Sequence, residues 1–156
     1  MAAITRPALI VPSPGRLYES LSDYTYPLIR FVMGAILVPH GMQKLLGMYG
    51  APPMEGYLKS FALAGSWASS PFWVYYIGTI ELIGGICLAV GLLTRLWALQ
   101  AVLFMAVGAF LVHWPNGWFW TARGFEVPLT WGVIYFAILI KGGGKWSVDR
   151  ALGKEF

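Results

Sequence analysis

Apolar residues in this chain form four long runs, separated by short clusters of glycine, proline and charge. The run Phe72–Leu93 is the clearest. It exceeds twenty residues, is almost wholly apolar, and carries one charge, Glu81. A run of that length predicts a membrane-spanning helix. At 1.5 Å per residue Glu81 lies roughly 13 Å along that helix, close to the bilayer middle. A carboxylate there costs about 2.5–3.5 kcal/mol on insertion scales, so it is expected to face a partner or a watery cavity.

The same pattern predicts three further spans. The first covers 26–46 and is the least apolar, carrying Arg30, His40, Gln43 and Lys44. Arg30, Gly34, Leu37, Gly41 and Lys44 recur at steps of three and four and share one face. Arg30 and Lys44 sit at opposite ends, where each can snorkel to its own interface. Pro39 lacks a backbone donor and predicts a kink just before His40. The third span covers 96–114, with Gln100 its only interior polar side chain and His113 at its end. The fourth covers 127–140, with Glu126 at its entrance. Within the second span, Gly78, Glu81, Gly85 and Ala89 share a face and Gly84 stands beside them, so a neighbouring helix can come close and Glu81 points into the bundle.

The connections follow the same logic. Residues 1–25 read as a cytoplasmic tail in which Ser13-Pro14 starts a short surface helix carrying Leu17, Leu21 and Tyr24 on one side. The tail's apolar stretch is broken by Pro7, Pro12 and Pro14 and does not read as a secretory signal. An outer loop holds an interfacial helix over 53–67, with Glu55 and Lys59 placed to pair at i,i+4. Ser70-Pro71 caps the second span. Gly91 through Arg95 makes a tight turn, and Pro115-Asn116-Gly117 makes another beside the aromatic belt of Trp114, Trp118, Phe119 and Trp120. Residues 142–156 form a polar cytoplasmic tail after the break at Gly142-Gly143-Gly144.

Composition agrees with a membrane protein. The 156 residues are 58% hydrophobic and 12% charged, where soluble domains average about 25% charged. Mean hydropathy is +0.64. The runs are continuous rather than alternating, which argues against a transmembrane barrel. The net charge of +4 is spread over segment ends and is no nucleic-acid signal. Arg6, Arg16, Arg30, Arg95, Lys141, Lys145, Arg150 and Lys154 fall on the side of the termini, against Lys44, Lys59 and Arg123 on the other. That bias predicts both termini in the cytoplasm. Cys87 is the only cysteine, which leaves no internal disulfide, CxxC pair or zinc cluster; it reads as a small apolar residue in a packed helix.

Topology then gathers ionisable groups in the outer half of the membrane: His40 and Lys44 from the first span, Glu81 from the second, His113 from the third and Glu126 from the fourth. A desolvated carboxylate needs a cation or donor, and His40 and Lys44 are the natural candidates. Three readings fit this cluster. In the first, Glu81 pairs with His40 or Lys44 and locks helix register without chemistry. In the second, the cluster is a ligand pocket where His40 and Glu81 bind the oxygens of a quinone and move its protons, with Lys44 setting the local field. In the third, two histidines and two carboxylates hold a metal, although no pair has the spacing of a metal motif. A b-type haem is disfavoured because His113 is too near its helix end. Arg30, Arg95, Gly84 and Gly85 read as structural or orienting residues.

Four blocks in order resemble the DoxX family, including its DoxD-like relatives. RFVMGAILVPHGMQKLLG resembles its opening signature, and ELIGGICLAVGLLTR is similar to its Glu-x-x-Gly-Gly block. HWPNGWFW followed by Glu126, and GGGKWSVDR, resemble its third block and its ending. The resemblance spans roughly 26–150. It implies a small four-helix bacterial inner-membrane protein, with a DoxX-like domain over 26–141. It also implies association with respiratory and sulfur metabolism, including thiosulfate:quinone oxidoreductase, or with oxidative-stress complexes that join soluble partners. Carried over residue by residue, the family's polar positions fall on Arg30, His40, Lys44, Glu81, Arg95, His113 and Glu126.

The expectation is therefore an all-α integral membrane bundle of four transmembrane helices, in the bacterial inner membrane with both termini inside. Its leading role is a membrane subunit of a redox complex that interacts with quinone. If it is enzymatic, it is a quinone-linked oxidoreductase subunit. The alternative is a non-catalytic accessory subunit that organises a larger complex. Small-solute transport ranks third, because the inner half offers few polar side chains besides Arg30 and Gln100. No covalently held cofactor is implied. The expected partners are the lipid bilayer and other redox subunits or a second copy, and no nucleic acid.

Overall fold

Helices account for all the regular structure among the described residues, which are 10, 11 and 13–155 of a computed structural model. The expected tail through residue 9 lies outside them. Helix α1 spans Gly15–Leu46. Its 32 residues extend about 48 Å, longer than a hydrocarbon core of about 30 Å. The stretch expected as a separate surface helix is thus the first part of α1, running into the span without a break. Pro27 and Pro39 both sit inside it.

After α1, the αL residue Gly47 ends the helix. Helix α2 (Met54–Phe61) follows, then two short 3₁₀ turns, Ala62–Ala64 and Ser66–Ala68. Glu55 and Lys59 form no ion pair in α2, because neither faces a buried surface that would hold their long side chains together. The next rod is built from α3 (Pro71–Thr79), a π-helical turn at Ile80–Gly84, and α4 (Gly85–Val90). Ser70 caps it, its hydroxyl accepting from Phe72 N at 3.4 Å. Helix α5 (Thr94–Val107) continues through a second π-helical turn, Gly108–His113. Helix α6 (Glu126–Lys141) and the short α7 (Val148–Ala151) complete the order. Two rods, Pro71–Val90 and Thr94–Asn116, are long and apolar enough to cross a membrane, with mean hydropathies of 1.6 and 1.9.

The rods pack because small residues let them. A Cβ on Gly34 would stand 2.4 Å from the Ala89 nitrogen, and one on Gly41 2.3 Å from that of Leu82. Rising numbers along α1 thus meet falling numbers along α3–α4, so the two run antiparallel in backbone contact. Gly85 faces α1, where a Cβ would lie 2.8 Å from the Gly34 oxygen. Gly84 faces α5, where it would strike the Trp97 ring. The core contains Met33, Leu37, Leu88, Ala98, Ala101, Met105, Tyr135 and Ile138. The Tyr135 hydroxyl donates to the Met33 carbonyl at 2.8 Å and ties α6 to α1. Large apolar side chains also point outward from every long rod: Phe31 and Val32, Ile83 and Ile86, Leu103 and Phe110, Val133 and Phe136.

Residues 142–155 fold back onto the bundle. Asp149 is buried and caps α5 from across the chain. Its Oδ1 accepts from Leu93 N at 2.7 Å, and its Oδ2 from Thr94 N at 2.9 Å and Thr94 Oγ1 at 2.7 Å. Arg30 does not snorkel. It is buried, donating from Nη1 to the Leu88 carbonyl at 2.8 Å and from Nη2 to that of Trp146. The Leu88 carbonyl also accepts from Gly91 N at 3.2 Å, so Arg30 fills its second acceptor position at the end of α4. Gly91, at φ 77°, makes room, since any Cβ there would stand 2.1 Å from Arg30 Nη1. Arg95 pairs with Glu155 at 3.5 Å. Asp149→Ala would leave two α5 amides and a hydroxyl without an acceptor, and is expected to cost about 1–3 kcal/mol. Denaturation in mixed micelles reads this directly, and an unchanged midpoint would show that the cap is dispensable.

Candidate functional site

The π-helical turn at Ile80–Gly84 carries Glu81, and such turns recur where a side chain must be re-aimed. Glu81 is 3% exposed. Lys44, from the last turn of α1, reaches both its carboxylate oxygens, at 2.7 and 3.0 Å. Hydrocarbon packing closes one side of this pair, since Gly78 lies against Leu45 and Lys44. The partner of Glu81 is therefore Lys44, and His40 makes no bond to it. Lys44 folds inward onto the carboxylate instead of snorkelling, because an unpaired carboxylate at this depth costs more than the lost hydration of one amine.

The pair forms part of the wall of a cavity of about 800 Å³. Leu37 and His40 join Lys44 on the α1 side, and His40 is four residues, one helical turn, from Lys44. Phe61, Ala64 and Trp67 close it from the segment after Pro53. Tyr76, Gln100, Phe104, His113 and Trp131 stand on the remaining rods. The lining is mainly apolar, with polar groups at a few points, as small-molecule sites are. Tyr76 donates its hydroxyl to Gln100 Oε1.

His113 belongs to the second π-helical turn. Its Nδ1 lies 2.6 Å from the Arg123 carbonyl oxygen. A carbonyl only accepts, so Nδ1 carries the hydrogen and Nε2 is left for another partner. Trp120 stands beside the imidazole, with ring centroids 5.3 Å apart. Glu126 does not join the cavity wall. Its Oε2 accepts from Trp120 N at 3.0 Å and its own nitrogen donates to the Trp118 carbonyl at 3.0 Å. It holds the loop that positions His113 and Trp120, because the chain turns back there before α6 starts. Of the expected cluster, His40, Lys44, Glu81 and His113 share one cavity and Glu126 supports it from outside. Among the described residues no three histidine, cysteine or carboxylate side chains come together to hold a metal.

Tyr57 lies on α2. Its hydroxyl is buried without a hydrogen-bond partner. Burial, with the nearby Glu81 carboxylate second, pushes this phenol above its ordinary range. Gln100 was visible as the lone polar side chain of its span, but not its bond to Tyr76. The π-helical turns left no mark in the apolar pattern.

A family model described as DoxX matches residues 26–114. "Uncharacterized membrane protein Rv3486" of Mycobacterium tuberculosis (strain ATCC 25618 / H37Rv) is 28% identical over 157 residues, covering 92% of this chain and 91% of its own length. "Inner membrane protein YqjF" of Escherichia coli (strain K12) is 26% identical over 138 residues, covering 88% of this chain and 99% of that protein. "Putative oxidoreductase CatD" of Bacillus subtilis (strain 168) is 39% identical over 69 residues, covering 44% of this chain and 45% of its own. No solved structure matches.

Proposed function

Because this chain belongs to the DoxX family of membrane proteins, we propose that its cavity at the Lys44–Glu81 pair binds a quinone head group, within a membrane redox complex. The observation that carries this reading is the position of the ion pair. A pair that only locked two helices would be closed over by packing, yet this one forms part of the wall of a cavity of about 800 Å³. A quinone is a flat apolar ring with two accepting oxygens. The apolar lining suits the ring, and donors from His40 and Lys44 suit the oxygens. Reduction to a quinol consumes two electrons and two protons. The electrons come from a partner subunit. His40 relays the two protons from water in turn, and Glu81 holds Lys44 where its charge favours the developing anion. The oxidoreductase name of the Bacillus subtilis relative supports a redox setting.

The same reading takes α1, α3–α4, α5 and α6 as four spans with both termini in the cytoplasm of a bacterial inner membrane. Outward apolar side chains on α1 and α6 match those on the two rods of sufficient length, and the basic residues crowd the end that holds the termini. The "inner membrane" in the name of the Escherichia coli relative fits that location.

Tryptophans 67, 73, 120 and 131 line the cavity, so quenching of their fluorescence reports binding. Titration of the purified protein with a short-tailed ubiquinone or menaquinone analogue is expected to saturate. His40→Ala removes a donor to one oxygen and Glu81→Gln loosens the hold on Lys44, and each is expected to weaken binding about tenfold or more. Equal binding by both variants, with helical circular dichroism intact, removes the assignment.

A further inference from the structure

At the opposite end of the bundle, the start of α1 and the stretch 141–155 enclose a second cavity of about 660 Å³. Four cations line it: Lys141, Lys145, Arg150 and Lys154. Three carboxylates line it too, and each is already answered. Asp23 pairs with Lys145. Glu155 pairs with Arg95 at 3.5 Å and accepts from the Gly143 nitrogen. Asp149 is spent on the α5 amides. Lys141, Arg150 and Lys154 are exposed and form no ion pair among the described residues. A concave surface with surplus positive charge concentrates anions.

We propose that this pocket binds the phosphate of an anionic phospholipid head group. A basic pocket between helices at the cytoplasmic end of a bundle is suited to such head groups. Its surroundings favour a lipid over a free anion. The exposed apolar residue Ile140 precedes Lys141 on α6, and Leu28 on α1 is exposed beside the lining residues Tyr26 and Pro27. Acyl chains therefore have apolar surface to follow where the phosphate meets the cations. Tyr24 and Trp146, both exposed, stack at 5.7 Å beside the pocket, the kind of aromatic pair found at head-group depth. The cavity is also far roomier than one inorganic phosphate needs. This site is independent of the quinone reading and stands or falls separately from it.

Native mass spectrometry of the full chain released from micelles tests it, with phosphatidylglycerol and phosphatidylcholine of identical chains as probes. Wild type is expected to retain phosphatidylglycerol in clear preference. The triple variant Lys141→Gln, Arg150→Gln, Lys154→Gln is expected to lose that preference by about a hundredfold, given roughly fivefold per cation. A charge-preserving variant, Lys141→Arg with Arg150→Lys and Lys154→Arg, keeps it, as does Lys59→Gln with Arg123→Gln at the other end. Three results would overturn the proposal: no head-group preference in wild type, undiminished preference in the triple variant, or displacement of the lipid by millimolar inorganic phosphate. The last would assign the pocket to a soluble anion.

Discussion

Lys44→Met is expected to destabilise the protein by about 3–5 kcal/mol, the cost of stranding one member of a buried ion pair. The side chains of Lys44 and Glu81 are 11% and 4% exposed, so the little solvent that reaches them replaces the lost ammonium poorly. Methionine keeps the length and apolar stem of lysine, which confines the change to the charge. Glu81→Leu alone strands the ammonium instead, and is expected to cost less because Lys44 lies in the last turn of α1 and can reach out toward the interface. The double variant Lys44→Met with Glu81→Leu should recover most of the loss, since a matched apolar pair often equals a buried salt bridge. Unfolding in mixed micelles followed by circular dichroism measures all three. Simple additivity of the single effects would mean that the two side chains do not act on each other. In the quinone reading, the double variant is stable yet fails to bind, which separates the structural role of the pair from its chemical one.

The second large effect is steric. Gly34→Val and Gly41→Val are each expected to cost about 3 kcal/mol or more, because overpacking cannot be relieved where the neighbour is main chain. At Gly34 the added carbon would meet the Ala89 nitrogen and the Gly85 oxygen at 2.4 and 2.5 Å; at Gly41 it would meet the Leu82 nitrogen at 2.3 Å. The rods must separate, and the Lys44–Glu81 geometry goes with them. Gly108→Ala provides the contrast. Its nearest contact would be the Pro128 Cβ at 3.6 Å, so it should stay within about 1 kcal/mol of wild type, with alanine's better helix propensity in its favour. The same micelle denaturation compares them, and equal midpoints for Gly41→Val and Gly108→Ala would dismiss the close-packed seam.

Much of the architecture was legible because a membrane simplifies the code. An apolar run without charge has to be a helix, since its amides can find partners only within the segment. Periodicity placed Arg30, Gly34, Leu37 and Gly41 on one face, and they are buried together against α3–α4. Ser70-Pro71 marked a helix start that the structure bears out. The depth of Glu81 marked it as needing a cation. The choice of Lys44 over His40 was not legible, because both sit on one turn and only the packing at Gly78 and the π-helical turn aims the carboxylate. Glu126 was misplaced for a related reason: proximity to a helix entrance does not reveal that a backbone amide from its own loop, that of Trp120, will claim it. Asp149 and Arg30 lie 119 positions apart in numbering, and no local pattern announces that both meet at the end of α4.

One-dimensional physics, acting along the chain alone, dictates an all-helical membrane protein, the faces buried by α1 and α3–α4, the seam of small residues, and a carboxylate that could not stay alone. Only the packing of the rods in three dimensions selected the cation that neutralises it, left the pair bordering a cavity rather than a sealed core, and brought the C-terminal stretch back to cap α5 and enclose a basic pocket. The physical reason is range. Hydrophobic periodicity acts over a few residues, whereas the partner of a buried charge or an open amide is whichever group the packing of distant segments brings within about 3 Å.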